Sequence, residues 1–209
     1  DLDLSYNGIW ENMLIEGYGG HELTVVDGPN GEKEFEIIKW DWDRLFYDPH
    51  SRKPDFSDAR YLGGVVWMDY EDAVAKWPDS ADVMERTWGD RTSSQTYDDK
   101  PIHQQWTQTG KRKRIRIVQI YHKEGEQWVW CVFTKAGKLE STPVPFVDQD
   151  GRSWCPMLLQ AAFVDRDNNR YGEVRTLIGP QDEINKRRSK ALHLINQRQV
   201  RVARTMAQD

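Results

Sequence analysis

Closely spaced acidic residues are the first feature of this sequence that suggests chemistry. Asp165, Asp167 and Asn169 alternate as the first ligands of a calcium-binding loop do. The same loop has Arg170 where that motif requires glycine and Thr176 where it requires a bidentate acid, so the oxygen cage would be incomplete. We therefore interpret the segment as a turn, in which short polar side chains hydrogen-bond the backbone.

A second acidic group, formed by Asp41, Asp43 and Asp48, lies within one short segment. Three carboxylates there would suit a hard cation such as calcium. The segment also holds Arg44 and Arg52, so turn capping and ion pairing are the alternative interpretation, and the one that we favour.

The tryptophan content suggests carbohydrate chemistry as one function class. Ten Trp with scattered carboxylates are compatible with sugar stacking and acid/base cleavage, but most of these Trp occupy apolar-patterned positions that favour packing. The five His are dispersed, the two Cys form no CxxC motif, and neither a P-loop nor a GxSxG motif is present. We expect no catalytic residues, cofactor or metal, and we expect a reducing compartment.

Two groups of basic residues are candidate phosphate contacts. The first is the run at residues 111–114, continued by Arg116. A localisation signal and a solvated strand end are the alternatives, and we favour the strand end. The second comprises Arg187, Lys190, Arg198 and Arg201. At 100° per residue these four line up beside a stripe of apolar residues, namely Ile184, Ala191, Ile195, Val202 and Met206. They would contact the backbone of duplex DNA, pair with acidic residues on a neighbouring copy or simply be solvated, and we favour the last two interpretations. No aromatic residue interleaves them, as single-strand binding would require.

Charge divides the chain into two halves. The 209 residues carry a net charge of −5, yet residues 1–100 have 10 Lys and Arg against 23 Asp and Glu, whereas residues 101–209 have 19 against 11. Such asymmetry indicates a polyanionic partner or a neighbouring copy for the basic half, and two solvated faces are the alternative. The aromatic content excludes a disordered chain, and no apolar run approaches the ~20 residues that span a bilayer, so we expect a soluble protein. A start at Asp1 without a signal sequence predicts an excerpt of a longer protein.

The pattern of apolar residues and breakers predicts an α+β fold rich in antiparallel strands. The predicted elements are a short helix near residues 9–14 that ends at Gly17, a hairpin of strands 22–27 and 33–40, an ordered loop over 41–61, and two short helices capped by Asp69 and Ser80. Further along come a boundary or mobile segment at 89–110, a meander of strands 114–122, 127–134 and 138–142, strands 158–164 and 171–178, and a long amphipathic helix from Gln181.

The final helix carries the strongest local signals. Pro180 suits a first helical position, Asp182 and Glu183 suit the first turn, and no breaker follows before residue 208. This predicts some 25 helical residues, about 38 Å in length. The resulting division is an acidic region over 1–100, a β-rich region over 101–178 and a helical region over 179–209.

Three blocks of sequence resemble portal proteins of tailed bacteriophages of the short-tailed type. They are MLIEGYGGHE at 13–22, LFYDPHSR at 45–52 followed by DFSDARY at 55–61, and YGEVR at 171–175 with GPQDEINKRRSKAL at 179–192. The blocks occur in the family's order and span nearly the whole sequence.

The resemblance implies a structural role in the virion, reached through assembly in the host cytoplasm. It implies a subunit of a homo-dodecameric ring at one capsid vertex, through which double-stranded DNA enters during packaging and leaves at infection. Family subunits have wing, stem, clip and crown regions; residues 1–100 would be wing-like, 101–178 wing- or clip-like, and 179–209 of the stem or channel type. Further implied partners are the terminase, which is the packaging ATPase, and the scaffolding, capsid and tail adaptor proteins, with no membrane involved. A stand-alone DNA-binding module and a carbohydrate-active enzyme remain the alternatives.

Overall fold

A computed structural model of the chain describes residues 2–28, 31–89, 105–109 and 112–197. Within these residues the helices are α1 (Leu2–Ile15), α2 (Tyr70–Lys76), α3 (Ala81–Gly89) and α4 (Val174–Asn196). The strands are β1 (Tyr18–Asp27), β2 (Lys33–Trp40), β3 (Leu45–Tyr47), β4 (Tyr61–Asp69), β5 (Thr107–Thr109), β6 (Lys113–Glu124), β7 (Gln127–Thr134), β8 (Gly137–Pro143), β9 (Met157–Ala161), β10 (Phe163–Val164) and β11 (Arg170–Tyr171).

The predicted hairpin is confirmed as two strands of a small antiparallel sheet. β1 pairs with β2 along one edge and with β9 along the other, in the order β2-β1-β9. Helix α1 precedes this sheet and buries Ile9 beneath it. The predicted turn at the end of α1 is also confirmed, because Gly17 has a φ of +100°.

The predicted meander is confirmed as the centre of a larger, open antiparallel sheet with the order β3-β4-β6-β7-β8, in which β5 also pairs with β6. The pattern gave no signal for β4, because its sequence is apolar on both sides and has two glycines at its centre. Both glycines are needed there: a Cβ on Gly63 would lie 2.2 Å from the Phe46 ring, and one on Gly64 would lie 2.5 Å from the Trp40 ring.

One face of the large sheet carries the core. Ile115, Ile117 and Tyr121 of β6 share that face, since they are two or four residues apart, and each is at most 6% exposed. Tyr121 packs in a cluster with residues of the small sheet and of the loop at 48–60, whereas the two isoleucines pack against α2 and α3. The large sheet therefore supports the small sheet and the two short helices side by side.

The two short helices begin where the sequence predicts, but the side chains of Asp69 and Ser80 bond groups outside these helices instead of capping them. Asp69 precedes α2 but makes no capping hydrogen bond, because its carboxylate pairs with Arg112 and Arg114. Ser80 precedes α3, and its hydroxyl donates to the carbonyl of Leu139. Ala73 of α2 and Met84 of α3 point into the core and are fully buried.

The prediction of two strands over 158–164 and 171–178 is partly wrong. The predicted strand 158–164 is two strands, β9 and the short β10. The predicted strand 171–178 is reduced to β11, which ends at Tyr171. Residues 174–178 form the first turns of α4, so Pro180 lies inside the helix rather than at its start. The β-branched and leucine residues of this segment mimic a strand, but a helical period also fits them. Pro180 has no N–H to donate to the carbonyl of Thr176, as an α-helix would require. Because α4 is exposed, water can bond that carbonyl instead.

Most of the predicted boundary segment at 89–110 falls outside the described residues, and its described end forms β5. The fold class is confirmed as mixed α and β with an open antiparallel sheet. Among the described residues, each helix is too short or too polar to cross a membrane.

Candidate assembly site

Helix α4 differs from every other described helix because all of its residues are exposed. Its exposed large apolar residues are Val174, Leu177, Ile178, Ile184, Leu192, Leu194 and Ile195, the last of which is 71% exposed. Most helical stability in proteins comes from tertiary packing of an amphipathic face, and α4 is exposed along its whole length. Contiguous exposed apolar surface also marks interaction sites. The surface of α4 is therefore suited to a partner.

The apolar residues of α4 concentrate on one side. At 100° per residue, Leu177, Ile184, Ala191 and Ile195 lie within about 40° of one another. We call these four residues the α4 stripe. The helical spacing predicted for Ile184, Ala191 and Ile195 is thus confirmed, whereas Val202 and Met206 lie outside the described residues.

The predicted basic residues of this helix are only partly described. Arg187 is exposed and forms an ion pair with Glu183, one turn earlier. Lys190 is also exposed, on the next turn. Arg198 and Arg201 lie outside the described residues. A contact from these cations to DNA or to a neighbouring copy stays a prediction.

The base of α4 is fixed by close backbone contact with the end of α1. A Cβ on Gly172 would lie 2.2 Å from the carbonyl oxygen of Leu14, and a Cβ on Gly17 would lie 2.3 Å from the carbonyl carbon of Tyr171. The N–H of Ala162 also donates to the carbonyl of Gly17, at 2.8 Å. Glycine at both positions lets the chain entering α4 rest directly on α1.

The polar turn before α4 is confirmed as a structural turn. The Asp165 carboxylate accepts the N–H groups of Asp167 and Asn169 at 3.0 and 2.8 Å. The N–H of Asn169 is the main reason why the pKa of Asp165 is lowered. Arg175, in the first turn of α4, lies 3.5 Å from the same carboxylate and over the Tyr171 ring. Asp165 therefore closes the turn and also orients the start of the helix.

Arg170 attaches this turn to the loop at 48–60. Its side chain is 9% exposed, lies over the rings of Tyr47 and Phe56, and donates to the carbonyl of Ser51 at 2.7 Å. The Asn168 side chain also donates to the Ser51 carbonyl, at 2.8 Å. No sequence pattern indicates this role, because a single arginine in a polar turn carries no signal of burial.

The loop at 48–60 is held together by its own carboxylates. Asp58 accepts bonds from the backbone of Arg52 and the hydroxyl of Ser51, at 2.8 and 2.7 Å. The Arg52 bond contributes most to lowering the pKa of Asp58 to about 2. Burial raises the pKa of Asp48, but the N–H groups of His50 and Arg60 outweigh it, and the net pKa is lowered.

These contacts favour the turn interpretation of the acidic group at 41–48. Asp41 lies 3.9 Å from Arg44, as the ion-pair alternative requires, while Asp48 accepts backbone N–H groups. Arg52 contributes its backbone to Asp58. In the part of the chain that the structure describes, no group of three or more His, Cys, Asp or Glu is arranged to hold a metal.

A buried carboxylate that the sequence did not reveal connects the two sheets. Glu22 of β1 is 8% exposed and accepts from Trp40 of β2 at 3.1 Å, and from Gln119 and Tyr121 of β6 at 2.7 and 2.5 Å. Burial, followed by the charge of Glu22, raises the pKa of Tyr121. Because all three partners are donors to one carboxylate, the cluster is suited to holding the sheets in register.

The described cations at the start of β6 are attached to the protein itself. Arg112 and Arg114 pair with Asp69, and Lys113 lies 5.6 Å from the Trp88 ring. Arg116 lies over Trp106, with 5.4 Å to the ring centre. These contacts favour the strand-end interpretation over phosphate binding; Lys111 lies outside the described residues.

The carbohydrate alternative gains no support from the tryptophans that the structure buries. Trp40, Trp77 and Trp128 are at most 8% exposed, and all three belong to the core clusters. They pack the core, as the apolar patterning predicts, and offer no stacking face to a sugar.

Comparison with known proteins identifies a family for this arrangement. A model of the phage P22-like portal protein family matches residues 1–209, which is the whole of the sequence. No curated protein matches the chain.

Proposed function

The chain belongs to the phage P22-like portal protein family, and from this membership we propose that it forms part of a ring subunit that builds the DNA channel at one capsid vertex. Membership establishes a portal protein of the short-tailed-phage type. The ring of twelve, the channel and the transit of double-stranded DNA are parts of the proposal.

The observation that carries the proposal is the complete exposure of α4. A helix with an exposed apolar stripe needs a partner, and a closed ring supplies the same partner to every subunit. Arg187, Lys190, Arg198 and Arg201 would then serve subunit contacts or local charge balance. A channel lined densely with cations would hold DNA tightly, since each phosphate contact adds affinity.

The regional assignment follows from the family. We assign residues 1–100 to a wing-like region, 101–178 to a wing- or clip-like region and 179–209 to the stem or channel wall. Strands from the first two regions share both main sheets, so these regions would move together. The terminase, scaffolding or capsid proteins and tail adaptors would dock on the assembled ring, in the virion and beforehand in the host cytoplasm.

We propose a structural protein without catalytic residues of its own. The carboxylates of Asp58, Asp165 and Glu22 accept hydrogen bonds within turns or between the sheets, which favours structural roles for them over acid/base work on a sugar. A stand-alone DNA-binding module would bind duplex DNA tightly, with affinity that falls steeply as salt is raised. The portal proposal expects neither behaviour.

Negative-stain microscopy combined with native mass spectrometry of the full-length protein tests this function. We expect a ring with a central channel, and we expect Ile195→Asp to abolish it by placing a charge on the α4 stripe. His193→Asp is the matched control, because His193 is exposed two residues away on the opposite side of α4. A protein that stays monomeric at every salt concentration, or an unaffected ring in Ile195→Asp, would contradict the proposal.

A further inference from the structure

We propose that the loop at 48–60 is a lid, which Asn168 and Arg170 hold closed and which opens as a unit when the turn before α4 moves. We call these two residues the latch. The inference concerns a single copy of the chain, so it does not depend on the proposed ring.

The two ends of this loop lie close together. The N–H of Asp48 donates to the carbonyl of Tyr61 at 3.1 Å, and the N–H of Arg60 donates to the Asp48 carboxylate, also at 3.1 Å. Between these ends the loop is bonded to itself, chiefly through the Asp58 carboxylate. A compact loop with adjacent ends and internal packing is an Ω-loop. Such a loop can move as one piece about its ends.

Within the described residues, few hydrogen bonds attach the middle of the loop to the rest of the chain. Those that reach residues 49–58 come from Ala161, Asn168 and Arg170. Ala161, at the end of β9, contributes one N–H. The side chains of the latch contribute the others, and both donate to the carbonyl of Ser51, at 2.8 and 2.7 Å. The latch therefore supplies most of the bonds that keep the lid closed.

Backbone strain is concentrated at this contact. Phe56 and Asn168 are the two non-glycine residues with a positive φ in the described part of the chain, at 53° and 67°. Asparagine tolerates this conformation, whereas a bulky residue such as phenylalanine rarely adopts it. Residues held in such conformations cluster at ligand clamps and switch regions. One of the two lies in the lid and the other in the latch, so opening would let Phe56 return to an ordinary backbone conformation.

The latch also buries a charge. The guanidinium of Arg170 lies over the Tyr47 and Phe56 rings, and its acceptors are the carbonyls of Ser51 and Asn168 and the Ser51 hydroxyl. Among the described residues it has no carboxylate partner, and its Nε has no acceptor. Burying a charge without an opposite charge is costly. The closed contact therefore carries a second cost that opening would remove.

The turn that carries the latch is also the base of α4. Asp165, at the start of this turn, lies 3.5 Å from Arg175 in the first turn of the helix. Gly172, two residues after Arg170, lies against the backbone of Leu14. A shift of the helix at its base would therefore move the latch relative to the loop. The position of α4 is thereby coupled to the opening of the lid.

Chymotrypsin digestion of the full-length protein tests the lid, because Phe56 is only 3% exposed while the lid is closed. Opening exposes the bond after Phe56, and its cleavage rate then follows the population of the open form. We expect the first cut, identified by mass spectrometry, to fall after Phe56. Its rate should hardly change at low urea concentrations, since local opening exposes little surface. A first cut after Phe56 that has the urea dependence of global unfolding, or a first cut in the buried strands, would overturn the proposal.

Two variants and one control identify the latch. Arg170→Met removes most of its bonds and should speed the cut after Phe56 about tenfold or more. Exposed Arg166→Met, in the same turn, should leave the rate unchanged. Met84→Ala, which empties a fully buried position under α3, lowers the global stability without touching the lid. It should also leave the rate unchanged, and equal acceleration by Met84→Ala and Arg170→Met would overturn the proposal, because cleavage would then follow global stability alone.

Gly172→Ala tests the coupling to α4. Its Cβ would lie 2.2 Å from the carbonyl oxygen of Leu14, so it displaces the base of the helix without contacting the lid. We expect it to speed the cut after Phe56 about as much as Arg170→Met does. Circular dichroism shows whether the variant folds, and Gly17→Ala perturbs the same junction from α1 if it does not. A rate no higher than that of Met84→Ala would overturn the coupling.

Discussion

Replacing Gly17 with alanine tests whether α4 is held by the backbone contact at its base. Gly17 has a φ of +100°, and an added Cβ would lie 2.3 to 2.5 Å from three backbone atoms of Tyr171. Backbone atoms cannot swing away as a flexible side chain can, so the chain entering α4 would have to shift by about 1 Å.

The cost has two parts. A non-glycine residue in a left-handed conformation costs about 1–2 kcal/mol. Forcing extra volume into a packed contact costs about 1–3 kcal/mol more. We therefore expect Gly17→Ala to lower the free energy of unfolding by about 2–5 kcal/mol.

Gly125→Ala is the matched control. Gly125 also has a positive φ, of +66°, but nothing lies within 4 Å of where its Cβ would be, so only the conformational part applies. The effect of alanine on the unfolded chain is the same in both variants and cancels in the comparison. We expect Gly125→Ala to cost about 1–2 kcal/mol.

Urea unfolding followed by tryptophan fluorescence measures both variants, since the protein has ten Trp. Because Tyr171 directly precedes the start of α4, Gly17→Ala should also lower the fraction of subunits in rings. Equal losses of stability in the two variants would refute the reasoning, since the contact with Tyr171 would then contribute nothing.

The remaining predictions concern the loop at 48–60 and the turn attached to it. Arg170→Met should lower the free energy of unfolding by about 3 kcal/mol, because the buried carbonyl of Ser51 loses a charged donor; exposed Arg166→Met should change it by less than about 0.5 kcal/mol in the same urea titration. Asp58→Asn should destabilise the protein at neutral pH. The pKa of Asp58 is lowered from 3.8 to about 2 on folding, so the advantage of the native residue should persist above pH 4 and vanish as pH falls to 2. Unfolding measured from pH 7 to pH 2 checks this, and a constant difference would contradict it.

Elements with a local signature could be predicted from the sequence, and elements defined by their neighbours could not. The hairpin and the meander are indicated by β-rich runs between turn residues. Strand β4 has no such alternation, since Gly63 and Gly64 are required by the Phe46 and Trp40 rings that pack on them. Those rings come from elsewhere in the chain, so no window of local sequence contains the reason.

The start of α4 illustrates the same limit. Residues 174–178 fit a strand and a helix equally well, and Pro180 is a stronger signal for a first turn than for an interior position. In the structure the strand ends at Tyr171, and the next residue, Gly172, lies against the backbone of Leu14, which is distant in the sequence. The burial of Glu22 and Arg170 also has no local signal, because Tyr121 and Ser51, which hydrogen-bond them, lie about 100 residues away along the chain.

Helix α4 is held at its base, so a small rotation there moves its far end by a larger distance. Its 23 residues extend about 34 Å from a base held by Gly17, Gly172, Asp165 and Arg170. A tilt of about 5° at the base would therefore displace the far end by about 3 Å, close to the diameter of a water molecule. Small shifts in the loop at 48–60, which Arg170 connects to the base of α4, would therefore produce larger displacements at the far end of the helix. Substitutions that prevent assembly should be found at the base of α4 as well as on its exposed apolar side.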